Sequence, residues 1–351
     1  MCLKINILSV RNILALFVLV IVGLGVFVWW ALGEKLPKFN KLEVIAEKDT
    51  LPAAPKEIIK IASYNIGHGQ GVKKNSWDYR DKKATIGQLE TVAAAINKMD
   101  ADAIMLQEVD LKSNRTHGID QLKFIKQRTA YGYQACALVW KKNHVPFPFF
   151  PLKHQIGMVR TANCILSKYP LSNHESLIFD KPASHPWWLN IGYIDRGLQR
   201  VNMKIGEKKI ALLNVHLEAW DIAAREKQIL EVASYMAILD MPLILGGDFN
   251  TLMPDTKKLS GFPDEPEADF TKDRTLSILI KKEPQLIIPT ISATSNENPY
   301  EHFTFPANAP DRRLDYIFIK EKDIAFKNFR VVSEAGVASD HLPVMAQIKI
   351  N

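Results

Sequence analysis

Residues 243–251 read Leu-Ile-Leu-Gly-Gly-Asp-Phe-Asn-Thr, and the reading of this stretch decides the fold. Three apolar residues stop at two glycines, and an Asp and an Asn follow two positions apart. That pattern suits a buried strand delivering polar side chains at its carboxyl end. The glycines permit a bend and close backbone approach, and in an extended chain residues 248 and 250 share one direction while Phe249 takes the other. An acceptor-only carboxylate beside a neutral amide suits orienting a water against an anionic substrate. The same residues also fit a strand end closed by an Asx turn, without chemistry. The flanking segments have to decide between the two.

Working outward, residues 209–216 form an apolar strand pattern ending at His216, and Ile229, Val232, Ala233 and Met236 recur at helical spacing before residue 243. Residues 58–67 read as a strand ending at Asn65 and a glycine-rich loop, 67–71. Ile86, Leu89, Val92, Ala93 and Ile96 mark a helix, and residues 103–108 return as a strand ending at Glu108. One strand–helix–strand layout is thus used twice, without a repeat of residues. If two such sheets pack face to face with helices outside, polar strand ends from both halves converge in one crevice. Downstream, a strand over 313–319 carries Asp315 near its start, and Ser339-Asp340-His341 precedes a last strand, 345–350. A carboxylate such as Asp315 on one nitrogen of His341 would fix its tautomer and leave the other nitrogen free for a proton. Taken singly, His216 and His341 are more often satisfied structural histidines; their joint placement at strand ends among acids and amides favours a site.

The chain has 351 residues, 47% of them hydrophobic, enough for one large domain with an appendage. A net charge of +7 suits an anionic partner without choosing among phosphoester, nucleic acid and lipid headgroup. Three cysteines, Cys2, Cys136 and Cys164, are too few for a disulfide framework or a zinc site, so two buried free thiols are expected, with a Cys136–Cys164 bridge as the alternative. Residues 13–32 are apolar throughout, follow Lys4 and Arg11, and end with Trp29 and Trp30 near the carboxyl side, as a bilayer span does. A cleaved signal peptide is the competing reading, but the run is longer than such peptides carry. Lys35, Lys38, Lys41 and Lys48 after the span argue for a cytoplasmic body, yet large domains translocate largely regardless of charge. The expected organisation is a short tail, 1–12, a transmembrane anchor, 13–32, a stalk-like linker, 33–56, and a catalytic domain, 57–351, on the extracytoplasmic side.

Asn65, Gln107-Glu108, 163–167 (Asn-Cys-Ile-Leu-Ser), 214–217 (Asn-Val-His-Leu), 247–250 (Gly-Asp-Phe-Asn), 313–316 (Arg-Leu-Asp-Tyr) and Ser339-Asp340-His341 occur in this order. The ordered set resembles the endonuclease/exonuclease/phosphatase superfamily, which includes pancreatic-type deoxyribonucleases, apurinic endonucleases, inositol polyphosphate phosphatases and neutral sphingomyelinases. The resemblance implies an α/β fold, a four-layer α/β/β/α sandwich of two packed mixed sheets, here preceded by one N-terminal transmembrane helix. It also implies phosphoester hydrolysis dependent on a divalent metal, Mg2+ or Mn2+. By that resemblance Glu108 and Asn65 hold the metal, and Asp340 either helps a second metal or orients His341. His341, oriented by Asp315, activates or orients water, and Asp248 and Asn250 position water and touch phosphate. His216 stabilises phosphate or acts as acid for the leaving oxygen.

Asn163, Arg196 and Arg200 are candidate substrate contacts, though solvated strand edges explain the arginines equally well. The aromatic, Pro-containing stretches 140–150 and 182–188 fit core packing beneath loops or a rim at a membrane interface. Segment 263–269 is acidic and expected at the surface, and Glu218 and Arg225 are expected to serve the fold. The expected function is a monomeric, membrane-anchored metal phosphodiesterase or phosphatase, with a lipid headgroup favoured over nucleic acid as partner. The alternatives are a tethered nuclease and a non-catalytic binding module.

Overall fold

The computed structural model describes residues 7–47, 50–72, 81–289, 299–320 and 324–350. Lys4 and Lys48, two of the charges flanking the apolar run, lie outside them. Helix α1 (Ile7–Leu32) carries that run, is long and apolar enough to cross a bilayer as a span or signal sequence does, and buries none of its hydrophobic window.

Short strands β1 (Phe39–Leu42) and β2 (Ile45–Ala46) follow, and β3 (Ile58–Asn65), α2 (Lys82–Met99) and β4 (Ala103–Asp110) make the first strand–helix–strand unit. After α3 (Gln121–Lys126), strands β5 (Tyr133–Val145) and β6 (Gly157–Ser167) form a long hairpin. Strand β7 (Leu171–Ile178), the short helix α4 (Trp187–Gly192) and β8 (Gly197–Ile205) lead to the second unit, β9 (Lys208–His216), α5 (Ile222–Ala237) and β10 (Leu243–Asp248). The chain ends with α6 (Thr275–Lys282), β11 (Leu286–Ile287), β12 (Asp315–Lys320), β13 (Ile324–Val331) and β14 (Val344–Ile350).

Two seven-stranded mixed sheets result, ordered β1-β7-β8-β9-β10-β12-β11 and β13-β14-β3-β4-β6-β5-β2. Among the described residues only the β3/β4 and β9/β10 pairs are parallel, because a helical crossover returns each chain to the same end of its sheet. One apolar cluster, including Met105, Ile165, Val201, Leu212, Ile244 and Ile317, lies between the sheets. A second joins one sheet to α2 and α3, and a third joins the other to α5 and α6. These are the four layers of an α/β/β/α sandwich.

The helices show why periodicity located them. Asp81 caps α2 by accepting from the Ala84 N–H, and Leu89, Val92, Ala93 and Ile96 are buried while Ile86 turns outward. Asp221 caps α5 through Ala224 N–H, and Ile229, Val232, Ala233 and Met236 are buried.

Two expectations change. Within the segment expected as a stalk, residues 39–46 join the body: β1 pairs with β7 and β2 with β5, covering an edge of each sheet. The free thiols are replaced by a bridge, because Cys136 and Cys164 face each other across β5 and β6 with Cα atoms 4.2 Å apart and their sulfurs joined. The acidic loop lies at the surface as expected, and from there Asp264 and Glu265 clasp the buried Arg312 guanidinium at 2.6 and 2.8 Å.

Candidate active site

Sheet register assembles most of the site. His216 on β9 is the register partner of Asp248 on β10, and Asp248 is that of Asp315 on β12, so three functional side chains stand in one row at one end of a sheet. On the facing sheet Asn65 of β3 pairs with Gln107 of β4. The two rows meet where Asn65 Nδ2 donates to Asp248 Oδ2 at 2.9 Å.

The glycines of the opening stretch act here by close approach. A Cβ on Gly246 would stand 2.4 Å from Met105 Cε of the other sheet, and one on Gly247, with φ at +150°, would stand 1.9 Å from the Val215 carbonyl oxygen. Beyond Asp248 the strand does not continue. Asn250 has φ of +50°, its N–H donates to Asp248 Oδ1 at 3.0 Å, and its side-chain amide donates to the Leu217 carbonyl at 3.0 Å. The expected shared direction of 248 and 250 gives way to an Asx turn in which Asn250 braces the segment after His216.

Glu108 reaches the crevice by a different device. The β4/β6 register slips between Leu106 and Val109, and Glu108 takes φ of +57°, a bulge that re-aims its carboxylate. Its Oε2 lies 3.0 Å from His68 Nε2, and its Oε1 lies 3.8 Å from Arg196 Nη1 and 3.9 Å from His216 Nε2. Burial opposes ionisation, but His68, then His216 and Arg196, overcome it and hold the Glu108 carboxyl well below the usual range.

Around Asp248 the balance differs. His341 Nδ1 donates to Asp315 Oδ2 at 2.8 Å, and the Nε2 atoms of His341 and His216 lie 3.7 and 3.4 Å from Asp248 Oδ2. Burial pushes Asp248 up, to about 7, although the His341 charge pulls the other way. The histidines separate too. Burial lowers both, but Asp315 and Asp248 outweigh it at His341, raising that group to about 10. Burial and the Arg196 charge hold His216 well below its usual value, with the Arg196 guanidinium donating into its ring. Asp340 is raised by burial, with the Glu108 charge adding to it, and its Oδ1 accepts from Ser339 Oγ at 3.0 Å.

A hard divalent cation fits this donor set. Glu108 and Asp340 are carboxylates within each other's field, and Gly67 leaves room beside Asp340, since a Cβ there would stand 2.5 Å from Asp340 Oδ1. Asn65 Oδ1 accepts from Gly67 N–H at 3.0 Å and keeps a second lone pair. Asp248, Asp315 and His341 also offer donor atoms within 4.8 Å of one another, but Nδ1 of His341 is already engaged by Asp315.

Arg200 does not join the site. Three residues down β8 from Gly197, which pairs with His216, it bonds Glu175 Oε2 at 3.0 Å and Asn202 Oδ1 at 2.9 Å. Asn163 is fully buried and donates to the Gly197 carbonyl at 3.1 Å, so it supports the turn carrying Arg196. Arg225 is a buried partner of Asp273 at 2.7 Å, and Glu218 Oε1 accepts from Tyr193 Oη at 2.6 Å. Two groups escaped the sequence reading. His68 holds Glu108 and is itself fixed by Arg115 Nη2 at 2.9 Å, whose guanidinium also bonds Asp110. Gln107 Nε2 donates to Asn214 Oδ1 at 2.7 Å, a buried link between the sheets beneath the crevice. A histidine inside the Gly67-His68-Gly69 turn, three positions after Asn65, was the available signal for the first.

Two packed sheets with acids, amides and histidines converging at one end are the architecture of the endonuclease/exonuclease/phosphatase class. The chain belongs to the Endonuclease/Exonuclease/phosphatase family, whose model matches residues 62–341. Its fold is shared with an endonuclease/exonuclease/phosphatase from Beutenbergia cavernae (TM-score 0.59, 19% identity, covering 84% of this chain and 72% of that one). It is also shared with humanized D. rerio TDP2 (0.53, 15%, 84% and 99%) and the mannosyl-6-phosphatase Bt3783 of Bacteroides thetaiotaomicron (0.52, 16%, 83% and 99%). No curated protein sequence matches the chain. The family is divalent-metal dependent, in keeping with the buried acid and histidine cluster.

Proposed function

We propose that the chain is a membrane-anchored phosphoesterase that uses Mg2+ or Mn2+ to hydrolyse a lipid or lipid-linked phosphoester. The observation that carries this reading is the meeting of the His216–Asp248–Asp315 row with Glu108 and Asn65 in one crevice of a chain led by a fully exposed apolar helix. Tethering raises the effective concentration of the enzyme toward bilayer substrate without any added contact. The Cys136–Cys164 bridge supports a body on the extracytoplasmic side, where disulfides persist.

Glu108, Asp340 and Asn65 would hold the cation, which when bound polarises the phosphoryl group and steadies the leaving oxygen. Asp248 is the group that takes the proton of the attacking water: its Oδ2 lies at the centre of the cluster, and burial favours its neutral form. The resemblance gave His341 the water to activate or orient and left the base open between the histidines; here the proton passes to Asp248 instead. His341, kept cationic by Asp315, faces the developing charge on the phosphoryl oxygens. His216 and Arg196 act as a donor pair toward the same oxygens.

The test is hydrolysis by the purified full chain, with magnesium, of a panel of phospholipid vesicles and of plasmid DNA across a salt series. Vesicle lipid is expected to be cleaved. Cleavage of plasmid alone, weakening steeply with salt as counterion release requires, would replace this reading by the nuclease one.

A further inference from the structure

The crevice end of the molecule carries more exposed apolar surface than the fold needs. The β5–β6 hairpin continues past the site through register pairs out to Val145 and Gly157. The layer it passes is fixed by Thr161, whose Oγ1 bonds Asp110, the partner of the arginine that holds His68. At the tip Phe149, Phe150 and Leu152 are 73, 82 and 68% exposed. Helix α4, whose Gly192 faces Val145 of the hairpin, exposes Trp187, Trp188 and Leu189 as well. The two elements are joined, because Ile194 after α4 packs into the hairpin's own cluster of Trp140, Val145 and Val159. Trp220 extends the surface to the crevice itself, lying over the Arg196 guanidinium at 5.9 Å.

The apolar helix ends on the same hairpin. Asn143 Nδ2 donates to the Trp30 carbonyl at 2.9 Å, Trp30 stacks on His144 at 6.5 Å, and Glu34 pairs with Lys141. The level at which α1 leaves a bilayer is therefore tied to the level of the aromatic tip. Exposed Lys35 and Lys153 stand at this end too.

We propose that the hairpin tip and α4 form a bilayer-docking surface that dips into the interface of the membrane α1 spans, presenting the crevice to lipid of that same leaflet. Aromatic side chains partition to the interface, basic ones pair with anionic headgroups, and apolar patches of this kind mark interaction sites. The purpose of the docking rests on the lipid reading above, but the docking itself is measured without turnover.

The experiment reconstitutes the full chain into phosphatidylcholine–phosphatidylglycerol vesicles with or without bromine on the acyl chains. The emission of the Trp187/Trp188 pair is taken as the difference between the parent and W187F/W188F. Both positions are exposed, so the replacement leaves the core intact. This difference is expected to fall about twofold in brominated lipid. An unchanged difference would overturn the proposal. A second variant, F149S/F150S/L152S, is expected to lose about tenfold in vesicle-lipid hydrolysis while cleavage of soluble bis(p-nitrophenyl) phosphate stays at the parent rate. Equal loss on both substrates would also overturn it. Quenching without lipid hydrolysis would leave docking standing and remove the lipid substrate, whereas lipid hydrolysis without quenching would do the reverse.

Discussion

Strands β4 and β10 each close a strand–helix–strand unit, and each brings an acid to the crevice from opposite sides. On β4 a bulge and a left-handed residue turn Glu108 toward His68, Arg196 and His216, and the carboxyl is held ionised. On β10 two glycines let the strand end pass close to Met105 and the Val215 backbone, and Asp248 meets mainly burial, with the charge of Asp315 adding to it, which push it up against the pull of His341. Equivalent places in a repeated layout thus yield one acid suited to a cation and one suited to a proton. The role is set by which side chains touch the carboxyl, not by its position in the unit.

The largest expected effect tests that division. Glu108→Gln and Asp248→Asn should each lower phosphoester hydrolysis by about 10²- to 10⁴-fold without loss of fold, and His341→Ala should fall in the same range. They should part company in calorimetric titration with magnesium or manganese: Glu108→Gln loses binding and Asp248→Asn keeps it. Loss of metal by both variants would collapse the distinction between the two acids, and full activity in Glu108→Gln would remove its assignment.

A stability effect comes next. Gly247→Ala places a methyl against the Val215 backbone at a φ that side chains rarely adopt, and neither element can yield. Thermal or urea denaturation should show a loss of about 3 kcal/mol. Gly246→Ala presses mainly on the flexible end of Met105, with Ile317 Cγ1 and the Tyr316 carbonyl oxygen less tightly approached at 3.3 Å, so about 1 kcal/mol is expected. Equal costs would mean that the strand end is not wedged as described.

Much of this was legible in the sequence because it follows from local periodicity and from strand-end chemistry. The buried faces of α2 and α5, both parallel units and the order of polar strand ends could all be read from spacing. What could not be read depends on register and on breaks in it. The bulge at Glu108 has no compositional mark, so neither its direction nor His68 as its partner was visible. Asn250 fitted both extended chain and an Asx turn, and spacing alone does not choose between them; the short Asn side chain finds the Leu217 carbonyl and closes the turn. Arg196 and Arg200 look equivalent on paper, and pairing alone separates them.

His68 allows a gentler test of the same contrast. It touches Glu108 and not Asp248, so His68→Ala should weaken metal affinity about tenfold, as loss of an orienting partner commonly does, while the fold and the Asp248 side of the site persist. Titration of the purified variant checks this, and an unchanged affinity would show that Glu108 is held by its backbone bulge alone.

The smallest effect is expected at Arg200. Its guanidinium bonds Glu175 and Asn202, and Tyr235 donates to that same Glu175 oxygen, so the charge is already engaged below the crevice. Arg200→Ala should leave kcat/KM within about twofold while costing about 1 kcal/mol of stability, because Glu175 would then lack its cation in a partly buried place. Steady-state kinetics beside a melting curve distinguish the two effects. A large kinetic loss at unchanged stability would return Arg200 to the substrate and require β8 to present a second charge to the crevice, which its register with β9 does not provide.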